Sequence, residues 1–311
     1  MKKLSHIFGI TLLLALLTPN ISHACACGCG IFDVGTSSML PSSAGGMASL
    51  NYAYSDQTKN WHGSSKAPAD SNDDKEVRTH FITLGLQYMF NRSWGLVAEV
   101  PYVSRYFKAA NDSGEILSYT YGGIGDIRIR GLYTGFSENM SAGVSLGLKL
   151  PTASHTQSST AVDIDRDTQI GSGSTDILAG GFYRHALIQG NSWSWFAQVE
   201  LDQPVLSQDG YKPGTELDES FGIHYNNLTL GKVGIKPLAQ IIGSERGKDS
   251  GPNSANPVAS GYQRVLLSPG VELHIHPVKF YADIEFPVYE NVTGNQLVSP
   301  VLFKVSLSSM F

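Results

Sequence analysis

Long apolar runs are scarce in this 311-residue chain and occur only at its beginning. The stretch from Phe8 to Leu17 is short, and nothing later approaches the roughly 18 uncharged apolar residues that a spanning helix needs. Acidic residues outnumber basic ones, which gives a net charge of −5 at pH 7, and no basic patch is present. We therefore expect no transmembrane helix and no nucleic-acid partner.

Motifs of the common enzyme classes are also missing. The sequence contains no glycine-rich phosphate loop, no His-Glu-x-x-His metalloprotease motif and no nucleophile elbow. It also lacks a repeat of fixed period, which a solenoid or fibrous array would show. We expect a protein that is not an enzyme and whose fold is not built from repeats.

Cysteine is confined to one short segment that holds Cys25, Cys27 and Cys29. In an oxidising compartment two of these thiols could pair and leave the third free. Their thiolates would also suit Cu or Zn. His274 and His276, two positions apart on one predicted strand at the periplasmic side, could supply further ligands. A lipid anchor on the first cysteine is a third alternative, and solvated turn histidines are the simpler interpretation of the histidine pair.

The first 24 residues have the features of a secretory signal peptide. Lys2 and Lys3 precede the apolar stretch, and small residues around Ala24 predict a cleavage site before Cys25. We therefore predict a signal peptide over 1–24, an irregular cysteine-rich segment over 25–46 and a β-domain over 47–311.

The last strand of the chain has one apolar face. Val301, Phe303, Val305, Leu307 and Phe311 recur at a period of two, and mostly polar residues lie between them. A C-terminal strand that ends on an aromatic residue resembles the signal by which Gram-negative cells recognise outer-membrane barrels. That resemblance implies that the outer-membrane assembly machinery is a partner and binds through the terminal Phe.

Alternating segments of this kind recur along the chain, separated by short turns and long polar loops in strict alternation. This alternation of short and long connections is typical of an antiparallel transmembrane β-barrel in the outer membrane of a Gram-negative cell. Lipid bilayer and lipopolysaccharide would surround such a barrel. The sequence predicts an all-β fold of about twelve strands, at about 47–55, 77–90, 94–107, 122–135, 140–151, 174–187, 193–204, 217–225, 228–242, 262–275, 278–288 and 301–311.

Five phrases of the sequence follow one another in an order that resembles a known family. They are Gly125-Asp-Ile-Arg-Ile129, Leu148-Lys-Leu-Pro-Thr152, Gly171-Ser-Gly-Ser-Thr-Asp176, Ser268-Pro-Gly-Val-Glu272, and Phe286-Pro-Val-Tyr289 followed by Gly294-Asn-Gln-Leu297. Over most of residues 80–311 the chain resembles the outer-membrane transporters grouped with the phenol meta-degradation pathway. The resemblance implies a small barrel that passes small compounds, hydrophobic or aromatic ones among them.

Charged residues occupy the polar parity of the predicted strands and should point into the lumen. Because both signs are present, they could form a plug of ion pairs or line a selective narrow pore, and both interpretations stay open. The predicted lumen-lining residues are Glu99, Asp126, Arg128, Arg130, Lys149, Glu200, Asp202, Lys232, Lys236, Glu272, Asp283 and Glu285.

Three functions follow from this barrel. The first is a channel or transporter for a small-molecule solute. The second is a barrel that does not conduct and whose periplasmic cysteine segment binds a metal or a partner. The third and weakest is a lipid hydrolase that uses His80 and Ser104, although no third group to orient the histidine is apparent. Arg78, His80 and Arg105 are better interpreted as contacts of lipopolysaccharide.

Overall fold

The computed structural model describes residues 40–69, 72–111, 113–159, 164–187, 192–253 and 259–311. Across these ranges the chain is all β, and no helix has the length and apolar character to cross a membrane. The strands in chain order are β1 (Gly45–Gln57), β2 (Lys59–Gly63), β3 (Ser65–Lys66), β4 (Asp74–Met89), β5 (Trp94–Ala110), β6 (Ile116–Ile124), β7 (Ile127–Tyr133), β8 (Ala142–Leu150), β9 (Ser174–Ala186), β10 (Trp193–Ser207), β11 (Glu216–Tyr225), β12 (Leu228–Leu230), β13 (Val233–Arg246), β14 (Tyr262–Ile275), β15 (Val278–Val298) and β16 (Leu302–Met310).

These strands close into an antiparallel barrel of 12 staves, as the sequence predicts. The last strand, β16, pairs with β1, and β1 pairs on its other side with β4, so the ring has no open edge there. Strands β6 and β7 both pair with β5 and form two halves of one stave. The short strands β2, β3 and β12 are additions outside the ring.

The wall of the barrel has an apolar outer face and a polar inner face. On β16, Phe303 and Leu307 are 37% and 49% exposed, whereas Lys304 and Ser306 are 6% and 3% exposed. The same alternation runs along β4 and β5, where Leu84, Leu86 and Leu96 point outward. A soluble barrel would bury its apolar face, so this arrangement is that of a membrane barrel.

Aromatic side chains gather on the outer face at the end of the barrel that carries the short turns. Trp94 packs on Tyr133 with ring centroids 4.7 Å apart, and Trp193 packs on Tyr225 at 5.2 Å. Such a girdle is typical of the level where a barrel meets the membrane interface. We call this end of the barrel the turn end.

Two predicted strands are interrupted in the structure. The fourth is broken at Gly125 and Asp126, because β8 stops at Leu150 before a proline and leaves no backbone partner for β6. The Gly125 N–H instead bonds the Pro101 carbonyl at 2.7 Å. The ninth predicted strand, 228–242, is a hairpin of β12 and β13 whose turn contains Gly231 with φ of 62°.

The sequence predicts that the eleventh strand ends at 288 and that a loop follows, which is wrong, since β15 has 21 residues and ends at Val298. The stretch between the first and second predicted strands supplies its partner, because β2 pairs with the far half of β15. Trp61 of β2 packs there against Tyr262 and Val292. Burial of this ring gives an apolar reason for pairing in a segment whose composition is mostly polar.

Candidate functional site: the lumen of the barrel

The barrel encloses a central cavity of about 350 Å³. Cationic and anionic side chains line it in equal numbers, so no single sign of charge dominates the wall. The predicted lumen residues that line this cavity are Glu99, Asp126, Arg128, Arg130, Lys149, Glu200 and Asp202.

The other predicted lumen residues lie elsewhere. Asp283 and Glu285 are buried on the inner face of β15, and Lys236 and Glu272 line a second cavity at the turn end. Lys232 does not reach the lumen, because it lies exposed in the turn between β12 and β13. The parity of a strand does not extend through the turn that separates β12 from β13 here.

Arg130 on β7 links the neighbouring strand β5 to β10, which lies three staves away on the other side. Its guanidinium makes ion pairs with Glu99 on β5 and with Glu200 on β10, and all three side chains are largely buried. A planar guanidinium with several N–H donors can bind two carboxylates at once, which an ammonium group does less well. The pairs are charge-assisted, and together they satisfy charges that would be costly if left alone.

Glycines on the strands between these residues make room for the Arg130 network. A Cβ on Gly147 would lie 2.7 Å from Arg130 Cα and would also collide with the carbonyl oxygen of Ile129. A Cβ on Gly180 would lie 2.6 Å from Ser145 Oγ and 3.5 Å from a carboxylate oxygen of Glu200. The inner face therefore carries no side chains at the two positions where the long side chains of Arg130 and Glu200 lie against it.

Lys149 forms a second ion-pair group beside the first. Its Nζ lies 2.7 Å from Asp202 Oδ2 and also pairs with Asp176, which is fully buried. Two carboxylates thus share one ammonium, and Arg128 lines the same cavity. Asp176 is absent from the predicted lumen set, although its parity is opposite to that of the apolar, exposed Ile177 on β9 and therefore indicates the inner side.

A third group involves the last strand. Lys304 Nζ lies 2.8 Å from Glu285 Oε1. Next to it, Asp283 Oδ2 accepts hydrogen bonds from Ser268 Oγ at 2.6 Å, from the Tyr281 hydroxyl at 2.9 Å and from Gln240 Nε2 at 3.1 Å. These interactions tie four neighbouring staves together on the inner face. Lys304 also shares the polar parity that the C-terminal strand shows in sequence.

The loop between β8 and β9 folds into the barrel instead of standing above it. Arg105 on β5 donates hydrogen bonds to the carbonyls of Thr168 and, at 3.2 Å, Gln169. Tyr121 donates to the same Thr168 oxygen at 2.7 Å. The prediction that Arg105 contacts lipopolysaccharide is wrong, since this side chain is only 3% exposed and lies on the inner face. We call residues 164–173 the inner loop.

Asp126 holds both ends of the β8–β9 connection. Its Oδ1 accepts from the Ala153 N–H at 3.0 Å, and its Oδ2 accepts from the N–H and the hydroxyl of Ser172, each at 2.8 Å. Ile164 and Ile170 of the inner loop pack into an apolar cluster with Phe107. The loop is therefore anchored by polar and apolar contacts, and it narrows the lumen.

The connection between β10 and β11, next to the inner loop in the barrel, contacts the inner loop. The Arg166 guanidinium stacks on the Tyr211 ring at 4.5 Å from its centroid. The Tyr211 hydroxyl donates to Asp249 at 2.7 Å, and Arg246 pairs with the same carboxylate at 2.7 Å. Burial raises the pKa of Tyr211, so its hydroxyl stays protonated as a donor.

Of the five predicted metal ligands, Cys25, Cys27 and Cys29 lie outside the described residues. His274 points into the second cavity and pairs with Glu272, whereas His276 is exposed in the turn after β14. Within the described ranges, no group of three His, Cys, Asp or Glu side chains could hold a metal ion. A metal at the cysteines stays a prediction.

The residues of the hydrolase hypothesis lie opposite each other. His80 and Ser104 are paired in register between β4 and β5. His80 Nδ1 and the Tyr52 hydroxyl are joined by a hydrogen bond of 3.0 Å. A serine hydrolase needs a group that orients the histidine toward the serine, and a tyrosine hydroxyl on the outer face does not supply a carboxylate for that role.

Comparison with solved structures identifies the architecture. An outer-membrane channel from Pseudomonas putida F1 matches with a TM-score of 0.65 at 12% identity, over 90% of this chain and 100% of that one. This chain shares its fold. The β-domain of the Bordetella autotransporter Brka matches with a TM-score of 0.51 at 13% identity, over 86% of this chain and 100% of that one. No family model and no curated protein matches the sequence.

Since a channel and an autotransporter domain both have this fold, the architecture alone does not fix a function. The grouping with phenol-pathway transporters stays a prediction. The function must be argued from the lumen itself.

Proposed function

We propose that this protein is an outer-membrane channel that passes small molecules through the lumen and performs no catalysis. The observation that carries the proposal is the central cavity, polar and balanced in charge, inside a barrel whose outer face is apolar. A wall with paired charges provides hydrogen-bonding groups without a strong field of one sign, which suits solutes that carry little net charge. The inner loop limits the size of what can pass.

The resemblance seen in the sequence extends this proposal to hydrophobic or aromatic solutes. An apolar cluster supports it, because Val77, Phe107 and Tyr121 pack on the inner face of the barrel beside Ile164 of the inner loop. A compound with an aromatic ring and a polar group would find partners in both parts of the lumen. We place the channel in the outer membrane of a Gram-negative cell, where the apolar band contacts lipid and lipopolysaccharide.

Single-channel recording in planar bilayers tests the proposal. We expect discrete conductance steps from the refolded full chain, and a lower conductance from Ser145→Trp, because this side chain lines the central cavity. Val144→Trp is the matched control, since the neighbouring side chain is 45% exposed on the outer face and should leave conductance unchanged. Equal conductance of the two variants, or no steps in any salt, would contradict the channel.

The second candidate is a barrel that conducts little and serves a binding segment at the turn end. One observation favours it. Leu40 lines both cavities, and Arg184 Nη2 donates to the Pro41 carbonyl at 2.7 Å, so the described start of the chain occupies the lumen at this end. We further propose Cu or Zn at the cysteines. Equal metal content of purified protein with and without Cys27→Ser and Cys29→Ser would remove that idea.

A further inference from the structure

The second cavity lies at the turn end of the barrel and has a volume of about 350 Å³. It is lined at the ends of five strands by charged and titratable side chains, namely Arg184, His224, Lys236, Glu272, His274 and Lys279. Leu40, Phe196 and Met310 provide apolar wall. A cavity of this size matches the lower range of small-molecule sites, and its charged lining distinguishes it from a purely apolar pocket.

Positive charge exceeds negative charge in this cavity. Among the described residues that line it, Glu272 is the only carboxylate, and it faces three permanent cations. That carboxylate is already engaged, since its Oε1 lies 3.4 Å from Lys236 Nζ and also pairs with His274. It therefore has little remaining capacity to neutralise the other two cations.

Those two cations have no carboxylate of their own in the described part of the chain. Arg184 donates to two backbone carbonyls, of Pro41 at 2.7 Å and of Met140 at 3.3 Å. Lys279 Nζ makes no hydrogen bond and no ion pair with the described residues, although it lies in the field of Glu272. Partly buried cations without a counter-ion are costly, and an anion bound between them would offset that cost.

The apolar wall indicates what the anion should carry. Phe196 is fully buried and stacks with His224, with ring centroids 5.9 Å apart. Leu40 and Met310 complete an apolar surface next to the cations. A free inorganic anion would leave this apolar surface exposed to water. An organic acid would cover it with its ring or short carbon chain.

We propose that the second cavity binds the carboxylate form of a small organic acid, with Lys279 and Arg184 contacting the carboxylate and the apolar wall contacting the carbon skeleton. The inference goes beyond the channel function and does not require the channel to conduct. It places a binding site for an anionic molecule at the turn end of the lumen.

Isothermal titration of the folded full chain in detergent tests this site, with benzoate as the probe, benzyl alcohol as its neutral counterpart and inorganic phosphate as the anion without a ring. We expect benzoate to bind at least about tenfold more tightly than either, because benzyl alcohol lacks the charge that strengthens hydrogen bonds to the cations and phosphate lacks a ring to cover the apolar wall. Lys279→Gln should weaken benzoate binding by about tenfold, and Lys279→Arg should retain it.

Lys232→Gln is the matched control, since it removes the same charge at the same end but outside the cavity. It should leave benzoate binding unchanged, and heat-dependent gel migration should show that both variants are folded barrels. Absence of benzoate binding, equal affinity for benzyl alcohol, or equal weakening by Lys232→Gln would overturn the site. Phosphate binding as tightly as benzoate would overturn the organic-acid assignment.

Discussion

Asp126 Oδ2 accepts two hydrogen bonds from Ser172, one from the backbone N–H and one from the hydroxyl, each 2.8 Å long. This pair joins the break between β6 and β7 to the end of the inner loop. Asp126→Ala removes both of these bonds and also the bond from the Ala153 N–H, and a loss of about 2 kcal/mol would raise the population of the detached loop by a factor of about 30. We expect a larger or more variable single-channel conductance in planar bilayers.

Ser172→Ala should have a smaller effect, because the backbone N–H still donates to the carboxylate. Glu138→Ala is the control, since Glu138 is exposed in a turn at the other end of the barrel and should not change conductance. If Asp126→Ala conducts like the unmodified protein, the inner loop does not limit the pore.

The Arg130 network predicts a stability effect that depends on the whole group. Arg130→Met leaves Glu99 and Glu200 without their shared cation, and breaking a buried pair in this way costs about 3 kcal/mol or more. Urea unfolding should show this loss. The variant Glu99→Gln, Arg130→Met, Glu200→Gln should recover most of the free energy of unfolding, because no uncompensated charge remains.

The same substitution also has an electrical signature. Removing one cation from a lumen of balanced charge leaves it negative, so Arg130→Met should shift the reversal potential in a salt gradient toward cation selectivity. The triple variant removes one cation and two carboxylates, so its lumen should be net positive and its reversal potential should shift past the original value toward anion selectivity. A reversal potential that is identical in all three proteins would show that ions do not pass this group.

Gly147 gives a steric prediction on the inner face. Gly147→Ala would place its Cβ 2.7 Å from Arg130 Cα and against the Ile129 carbonyl, so we expect a loss of about 1–3 kcal/mol in the free energy of unfolding. Gly131→Ala is the matched control, because its nearest contact would be the Leu146 carbonyl oxygen at 3.7 Å. The control should be neutral or slightly stabilising. Equal losses would point to strand propensity instead of crowding.

The backbone and the ring of the terminal residue, Phe311, have different expected roles, the first in barrel stability and the second in assembly. The Phe311 backbone closes the barrel through hydrogen bonds with Gly46, at 2.8 and 2.9 Å, whereas its ring is 76% exposed. Phe311→Ala should therefore lower the amount that reaches the outer membrane in cells and leave unfolding of the refolded protein within about 1 kcal/mol of the original. Normal accumulation in the membrane would contradict a role of the ring in recognition by the assembly machinery.

Parity explains most of what sequence patterns could predict about the lumen. Successive side chains of a strand point to opposite faces, so Glu99, Arg130 and Glu200 could be assigned to the inner side from their apolar neighbours alone. The assignment of Lys232 fails because parity holds only within an unbroken strand, and the turn at Gly231 ends it. The prediction for Arg105 is wrong although this residue shares the parity of Glu99 on β5, which indicates the inner side.

By itself, the sequence determined the fold class, the number of staves and the two faces of the wall. These follow from side-chain alternation and turn spacing, which are properties of neighbouring residues. Only the tertiary structure decided that Arg130 pairs with Glu200 and that the inner loop returns to Asp126. It also decided that Lys279 faces the second cavity without being paired to a carboxylate. Such contacts depend on strand register and on loop placement across the lumen, and no local pattern encodes them.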